Sequence, residues 1–222
     1  MRKNVLDLLP EELIQRLLEI GEKEYRAKQI LNWIFNKRTT NFNEMTSLSE
    51  DLRTKLQETY QIGIPTILNK VVSVDGTTKY LLSLQDGSNI EMVIIPNGKK
   101  NTLCISSQVG CARQCEFCAT AKLGFTRNLE TYEITSQVFL AIKELSDDKL
   151  TNIVFMGMGE PLDNFDNVVK AIRILQHDLC FNFSPRRITV STSGVIPQIY
   201  KLADTGLKLK LAVSLNSAIQ AK

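Results

Sequence analysis

The sequence predicts an α/β protein in which a run of βα units follows a small helical domain and a short antiparallel β-meander. Two observations carry this. From Thr102 onward, short apolar β-branched runs alternate with amphipathic stretches, the rhythm of parallel strands joined by helical crossovers. Before that, helical periodicity gives way at Gly63-Ile-Pro65 to three extended runs punctuated by Asp-Gly. The expected divisions are residues 1–62, 63–100 and 101–222.

At 222 residues the chain can bury a sizeable core, and 43% hydrophobic with 23% charged residues is ordinary for a soluble protein. No apolar run approaches membrane-spanning length, and acids arrive too early in Met1–Glu12 for a secretory leader, so a cytoplasmic protein is expected. A reducing compartment turns clustered cysteines toward metal or redox chemistry rather than structural disulfides. A net charge of +3 permits a nucleic-acid partner without arguing for one.

Taken in order, Pro10 with Glu11 and Glu12 suits a helix start, Leu13, Ile14, Leu17 and Leu18 make its apolar stripe, and Gly21 stops it. Tyr25 to Asn36 repeats the pattern, and Ser47-Leu-Ser-Glu50 reads as a capping box for a third helix carrying Leu52 and Leu56. Lys23, Arg26, Lys28, Lys37 and Arg38 give this part a positive surface, which solvation of helix faces explains. The meander then runs near 66–74, 77–84 and 88–95, with Asp75-Gly76 and Asp86-Gly87 as hairpin turns. Glu91 lies in its third strand among Ile90, Met92, Val93 and Ile94, either on an exposed face or as an acid or base at the mouth of a site.

The βα units follow: strand 102–109 and helix 131–145, strand 152–156 and helix 165–178, strand 187–191 and helix 196–204, then strand 208–213. In such architectures ligands collect where strand ends feed helices. Four loops take that place: Cys111-Ala-Arg-Gln-Cys115-Glu-Phe-Cys118, Gly157–Pro161, Ser191–Gly194 and Ser214–Asn216. Glycines 157 and 159 let backbone approach a ligand, Glu160 supplies charge, and Ser191 and Ser214 offer hydroxyls without bulk. Three cysteines with no nearby histidine form a soft, all-sulfur set that suits zinc or an iron–sulfur cluster. Cys104, read as lying at the start of its strand, is a fourth ligand by number only.

The C-x3-C-x2-C run after a strand, with Gly-Glu-Pro after the next, resembles the signature of the radical S-adenosylmethionine enzymes. The flanks narrow the likeness. Leu103-Cys-Ile-Ser-Ser-Gln-Val-Gly-Cys111, Gly124-Phe-Thr-Arg-Asn-Leu129, Met156-Gly-Met-Gly-Glu-Pro161 and Ser191-Thr-Ser-Gly-Val-Ile-Pro197 are similar to the dual-specificity RNA methyltransferases of the RlmN family, and Tyr25–Ile34 and Phe42–Met45 extend the resemblance to the N-terminal part.

This resemblance implies an incomplete radical-SAM (βα)6-type partial barrel, with about four βα strands present. It implies methylation of C2 of a specific adenosine in 23S rRNA and in some tRNAs, through a methyl-cysteine intermediate and a transient disulfide. By position, Cys111, Cys115 and Cys118 would ligate a [4Fe–4S] cluster. Gly159, Glu160, Ser191, Ser214 and Asn216 would hold S-adenosylmethionine, although Asn216 stands where many relatives carry histidine. Cys104 would resolve the protein–RNA adduct and Glu91 would accept a proton, while Cys180, late in the second helix of the series, would only pack. A monomer is expected, with no membrane and an electron donor such as flavodoxin or ferredoxin. The methyl-carrying cysteine of the family would lie beyond Lys222, so an incomplete copy is expected, one that binds a cluster while complete methyl transfer needs the full-length parent. Two alternatives share these residues: a C8-specific methyltransferase of the same family, and a zinc-holding RNA-binding module using Cys104 with the three loop cysteines. Lys99-Lys100 and Arg186-Arg187 are candidate phosphate contacts beside the site.

Overall fold

The computed structural model describes all residues except Met1, Gln114, Asp147, Asp148, Asn216, Ala218, Gln220, Ala221 and Lys222. Strand β1 (Lys3–Asn4) leads to α1 (Pro10–Glu19), whose proline sits in the first turn and whose Glu12 carboxylate accepts the Leu9 N–H at 2.7 Å. Gly21, at φ +81°, ends the chain's first helical stretch. Helix α2 (Tyr25–Leu31) runs on into a wider π-type turn over Asn32–Asn36. Helix α3 (Glu50–Thr59) is capped by Ser49, which accepts the Leu52 N–H, and not by Ser47 as the capping-box pattern suggested. Ser47 is engaged elsewhere: its hydroxyl accepts the Trp33 indole N–H at 2.8 Å.

Strand β2 (Tyr60–Gln61) returns to pair in parallel with β1. Leu13, Leu17, Ala27, Ile30, Leu52 and Leu56 interlock as the core of this N-terminal part. Two of its basic residues are spoken for, Arg26 by Glu22 at 3.7 Å and Lys37 by the face of the Trp33 ring at 3.4 Å.

The meander forms as the Asp-Gly turns predict: β3 (Thr66–Val72), β4 (Thr78–Ser83) and β5 (Asn89–Asn97), with Gly76 and Gly87 at φ +83° and +82°. Next comes β6 (Lys100–Cys104), then β7 (Gln108–Gly110) and β8 (Phe125–Asn128), which pair with each other, and helix α4 (Thr131–Leu145). The chain continues through β9 (Leu150–Phe155), α5 (Phe165–Gln176), β10 (Ile188–Thr192), α6 (Ile196–Asp204) and β11 (Lys210–Val213). One seven-stranded sheet in the order β11-β10-β9-β6-β5-β4-β3 results. The four strands β6, β9, β10 and β11 are mutually parallel, and β6 also pairs antiparallel with β5, so meander and βα units share a single sheet. Among the described residues no helix is long and apolar enough to cross a membrane.

The expected strand 102–109 is two strands, and the reason is a contact from α4. The Ile105 N–H still donates to the Val154 carbonyl at 3.0 Å, and beyond it side chains serve Ser106 in place of the ladder. Gln137 of α4 accepts the Ser106 N–H at 2.9 Å and donates to the Ser106 carbonyl at 3.0 Å, while the Ser106 hydroxyl donates to the Glu91 carbonyl at 2.6 Å. Cys104 is therefore the last residue of its strand, not near its start.

Alternation gives the sheet two unlike faces. Leu82, Ile90, Met92, Leu103, Ile153 and Val190 point to one side and pack against Ile134, Val138, Val168 and Ile172 of α4 and α5. Val93, Cys104, Val154 and Thr189, which neighbour one another in register, occupy the other face and remain half-buried. Helix α5 also lends Ile174 to the N-terminal core, and α4 lends Phe139, so the two cores meet on these helices.

Replacing Gln137 with Leu should leave the buried Ser106 N–H and carbonyl without partners, at a cost of about 2–4 kcal/mol. Thermal unfolding should then fall by roughly 5–15 °C; an unchanged melting temperature would show that this replacement ladder contributes nothing.

Candidate functional site

The cysteine loop hangs between β7 and β8. Its neck is a backbone crossing that needs glycine: Gly110 has φ +74°, the Cys111 N–H donates to the Gly124 carbonyl at 2.9 Å, and a Cβ on Gly110 would lie 1.8 Å from that oxygen. Within the loop the Arg113 N–H donates to the Cys111 sulfur at 3.4 Å, and the Cys118 N–H to the Cys115 carbonyl at 3.0 Å.

The second loop, after β9, is laced to the first. The Gly157 N–H donates to the Ile105 carbonyl at 3.0 Å, the Met158 N–H to the Ser106 hydroxyl at 2.9 Å, and the Glu160 N–H to the Gln108 side chain at 2.9 Å. A Cβ on Gly157 would stand 2.6 Å from the Ile105 oxygen, and one on Gly159 (φ +101°) 2.5 Å from the Gln108 Cβ. Glu160 is buried, yet its carboxylate is served on both oxygens: Oε1 accepts the Leu162 N–H at 3.1 Å, and Oε2 accepts the N–H and hydroxyl of Ser193 at 2.7 and 2.9 Å. That contact draws in the third loop, after β10. The Ser214 N–H donates to the Thr192 carbonyl at 2.9 Å and brings in the fourth.

A cavity of about 380 Å³ opens at these strand ends. Cys111, Cys115, Cys118, Gly159, Glu160, Ser191 and Ser214 all line it, so seven of the residues expected from sequence share one wall. Asn216 lies outside the described residues. Cys104 ends β6 opposite Val93, and Glu91 stands two positions along β5 on the same face, half-exposed and ion-paired to Lys79 at 3.0 Å. Neither is among the cavity-lining residues. Burial pushes the Cys104 thiol up to about 11 and also raises Cys111. All five cysteines are free thiols, so the disulfide expected of the reaction is no feature of this structure. Cys180 sits four residues beyond the end of α5 rather than within it, buried in the N-terminal core with its thiol pushed up to about 12.

The basic pairs are not beside the site. Lys100 begins β6 and Arg187 precedes β10, which places Lys99-Lys100 and Arg186-Arg187 at the strand beginnings, the opposite end of the sheet from the cavity. Arg186 instead lines a separate hollow with Lys208 and Lys210. Sequence reasoning missed Ser193, Arg113 and Asp163. Ser193 lay inside a loop already singled out, and Arg113 inside the cysteine run, but nothing in either stretch names its partner.

The donor set fits a cluster with an open position. Three thiols face one cavity beside a carboxylate and hydroxyls, which is the chemistry of soft iron ligation next to a polar small-molecule subsite. A closed zinc site would need a fourth ligand at about 2.3 Å from a common point. The remaining nearby thiol, Cys104, belongs to the sheet face instead. Among the described residues no three His, Cys, Asp or Glu side chains gather closely enough to hold a single ion.

Comparison with known proteins agrees with the geometry. Residues 3–62 match the ribosomal RNA large subunit methyltransferase N-terminal domain, and residues 105–218 match the radical SAM superfamily. The chain is 48% identical over 221 residues to the Probable dual-specificity RNA methyltransferase RlmN of Thermotoga sp. (strain RQ2), covering 99% of this chain and 64% of that protein. It is 45% identical over 222 residues to the Dual-specificity RNA methyltransferase RlmN of Marinomonas sp. (strain MWYL1), of which it covers 60%. The crystal structure of a radical SAM methyltransferase from Sphaerobacter thermophilus superposes with a TM-score of 0.89 at 41% identity, over 95% of this chain and 63% of that one. The chain thus spans somewhat less than two thirds of the length of these relatives.

Alkylation by iodoacetamide at pH 8 should label Cys104 and Cys180 far more slowly than an unperturbed thiol, with Cys104 accelerating as pH rises toward 11. Site-resolved mass spectrometry reads this; rapid, pH-independent labelling of Cys104 would contradict its buried placement.

Proposed function

The chain belongs to the radical S-adenosylmethionine superfamily, and from that premise we propose that it supplies the cluster- and cofactor-holding part of an RNA methyltransferase acting on C2 of a specific adenosine in 23S rRNA and in some tRNAs. The observation that carries the reading is the convergence of three thiols, a held carboxylate and two serines on one cavity. The rRNA-methyltransferase match over residues 3–62 supports RNA as the substrate class.

In this reading Cys111, Cys115 and Cys118 would hold a [4Fe–4S] cluster. When bound, the cluster supplies the electron for reductive cleavage of S-adenosylmethionine. The protein's own part is placement. Glu160, locked by Ser193 and the Leu162 N–H, keeps its charge aimed where the cofactor's ammonium group would sit. Gly159 lets the Glu160 loop close on Gln108, which any side chain there would strike, and its backbone would line the cofactor's cavity. Ser191 and Ser214 supply hydroxyls to the same cavity, and Asn216 would add an amide.

Cys104 and Glu91 share one face of the sheet. In this reading Glu91, half-exposed and ion-paired to Lys79, would accept a proton, and Cys104, held protonated at neutral pH by burial, must lose its proton before it can resolve a covalent adduct. The adenosine would be drawn out of its stack to reach the cavity. The protein would work in the cytoplasm, as a monomer, with flavodoxin or ferredoxin as the electron source. Zinc-holding without catalysis is the weaker reading, because Cys104 stands in the sheet rather than with the loop cysteines.

Digested 23S rRNA and tRNA from cells carrying this gene and from cells deleted for it should differ by 2-methyladenosine in nucleoside mass spectrometry. An 8-methyladenosine signal in its place would move the reading to the C8 enzyme. No difference in either nucleoside would overturn it.

A further inference from the structure

Arg113 sits between the first two loop cysteines and reaches across to Asp163, just past Gly-Glu-Pro. Its Nε donates to Asp163 Oδ2 at 2.8 Å and its Nη2 to Oδ1, the two-pronged fit of a guanidinium on a carboxylate. We propose that Arg113 and Asp163 form a latch that positions the cysteine loop against the Glu160 loop, and so sets where a cofactor held by Glu160 sits relative to the three thiols. The inference rests on the reading of the cavity as an S-adenosylmethionine site.

The two ends of the latch are unequally anchored. On the Asp163 side, the Asp163 N–H donates to the Glu160 carbonyl at 3.1 Å, and neighbouring Asn164 donates to the Ser107 and Leu129 carbonyls at 2.8 and 2.7 Å. That side is part of the buried scaffold. On the other side, the described residues of the Cys111–Cys118 loop are half-buried or exposed, with Phe117 80% exposed. The loop's position is therefore set by its neck at Gly110 and Gly124 and by the latch. Arg113 also donates its backbone N–H to the Cys111 sulfur, which joins the latch to one of the thiols directly. A soft loop tied to a stiff one by a paired, directional contact is a positioning device.

The test uses Arg113→Lys, Arg113→Ala, Asp163→Asn and the double variant Arg113→Ala/Asp163→Asn. In the metal-free chain, amide hydrogen exchange over residues 111–124 should speed up several-fold in each single variant while the amides of α4 and α5 are unchanged. In chain loaded anaerobically with iron and sulfide, iron content should stay at the unsubstituted level, and the dissociation constant for S-adenosylmethionine should rise about tenfold. Arg113→Lys should fall between, and the double variant should be no worse than either single. Unchanged exchange and affinity in both Arg113→Ala and Asp163→Asn, or effects that add in the double variant, would overturn the latch. Unsubstituted chain that takes up neither iron nor S-adenosylmethionine would instead overturn the cavity reading on which the latch rests.

Discussion

The seam between Ser106–Gln108 and Gly157–Glu160 is the constraint on which the cavity depends. Two strand ends that would otherwise diverge are stitched by backbone donors finding side-chain oxygens: Met158 on the Ser106 hydroxyl, Glu160 on the Gln108 amide. The stitch tolerates no side chain at residue 157 or 159, since each would collide with the facing strand end. From this seam β7 turns out of the sheet to carry the cysteine loop, and Glu160 is brought within reach of Ser193. Buried polar groups are costly unless satisfied, so such a network has essentially one arrangement.

The sheet divides its labour by face. One side is a continuous apolar surface that α4 and α5 cover, which gives the strands their stability. The other keeps Cys104, Thr189 and Ser191 half-buried, with Glu91 on the same face. Cys104, Thr189 and Ser191 thus ride on a framework covered from the opposite face, and their spacing is fixed by strand register.

Much of this was legible beforehand because it is local. Asp75-Gly76 and Asp86-Gly87 announce left-handed turns, and the helices at 131–145 and 196–204 follow their apolar periodicity to the residue. The loops gathered on one rim because parallel βα topology leaves them nowhere else to go. What escaped was long-range. Nothing near Ser106 says that Gln137 will complete its backbone and end a strand early, so the sequence alone puts Cys104 at the start of a strand that it in fact ends. The partners of Ser193 and Arg113 lie 33 and 50 residues away. The two basic pairs were misplaced for a related reason: their charge was visible, but the strand end to which they belong depends on boundaries a few residues wide.

Three thiols and a locked carboxylate face one cavity, and the proposed function requires them to hold a cluster beside its cofactor. Electron paramagnetic resonance of the anaerobically reconstituted, reduced chain, with and without S-adenosylmethionine, tests it most directly. About four iron and four sulfide per chain are expected, with a spectrum that shifts when S-adenosylmethionine is added. Stoichiometric zinc with no iron, or a cluster spectrum indifferent to S-adenosylmethionine, would contradict it.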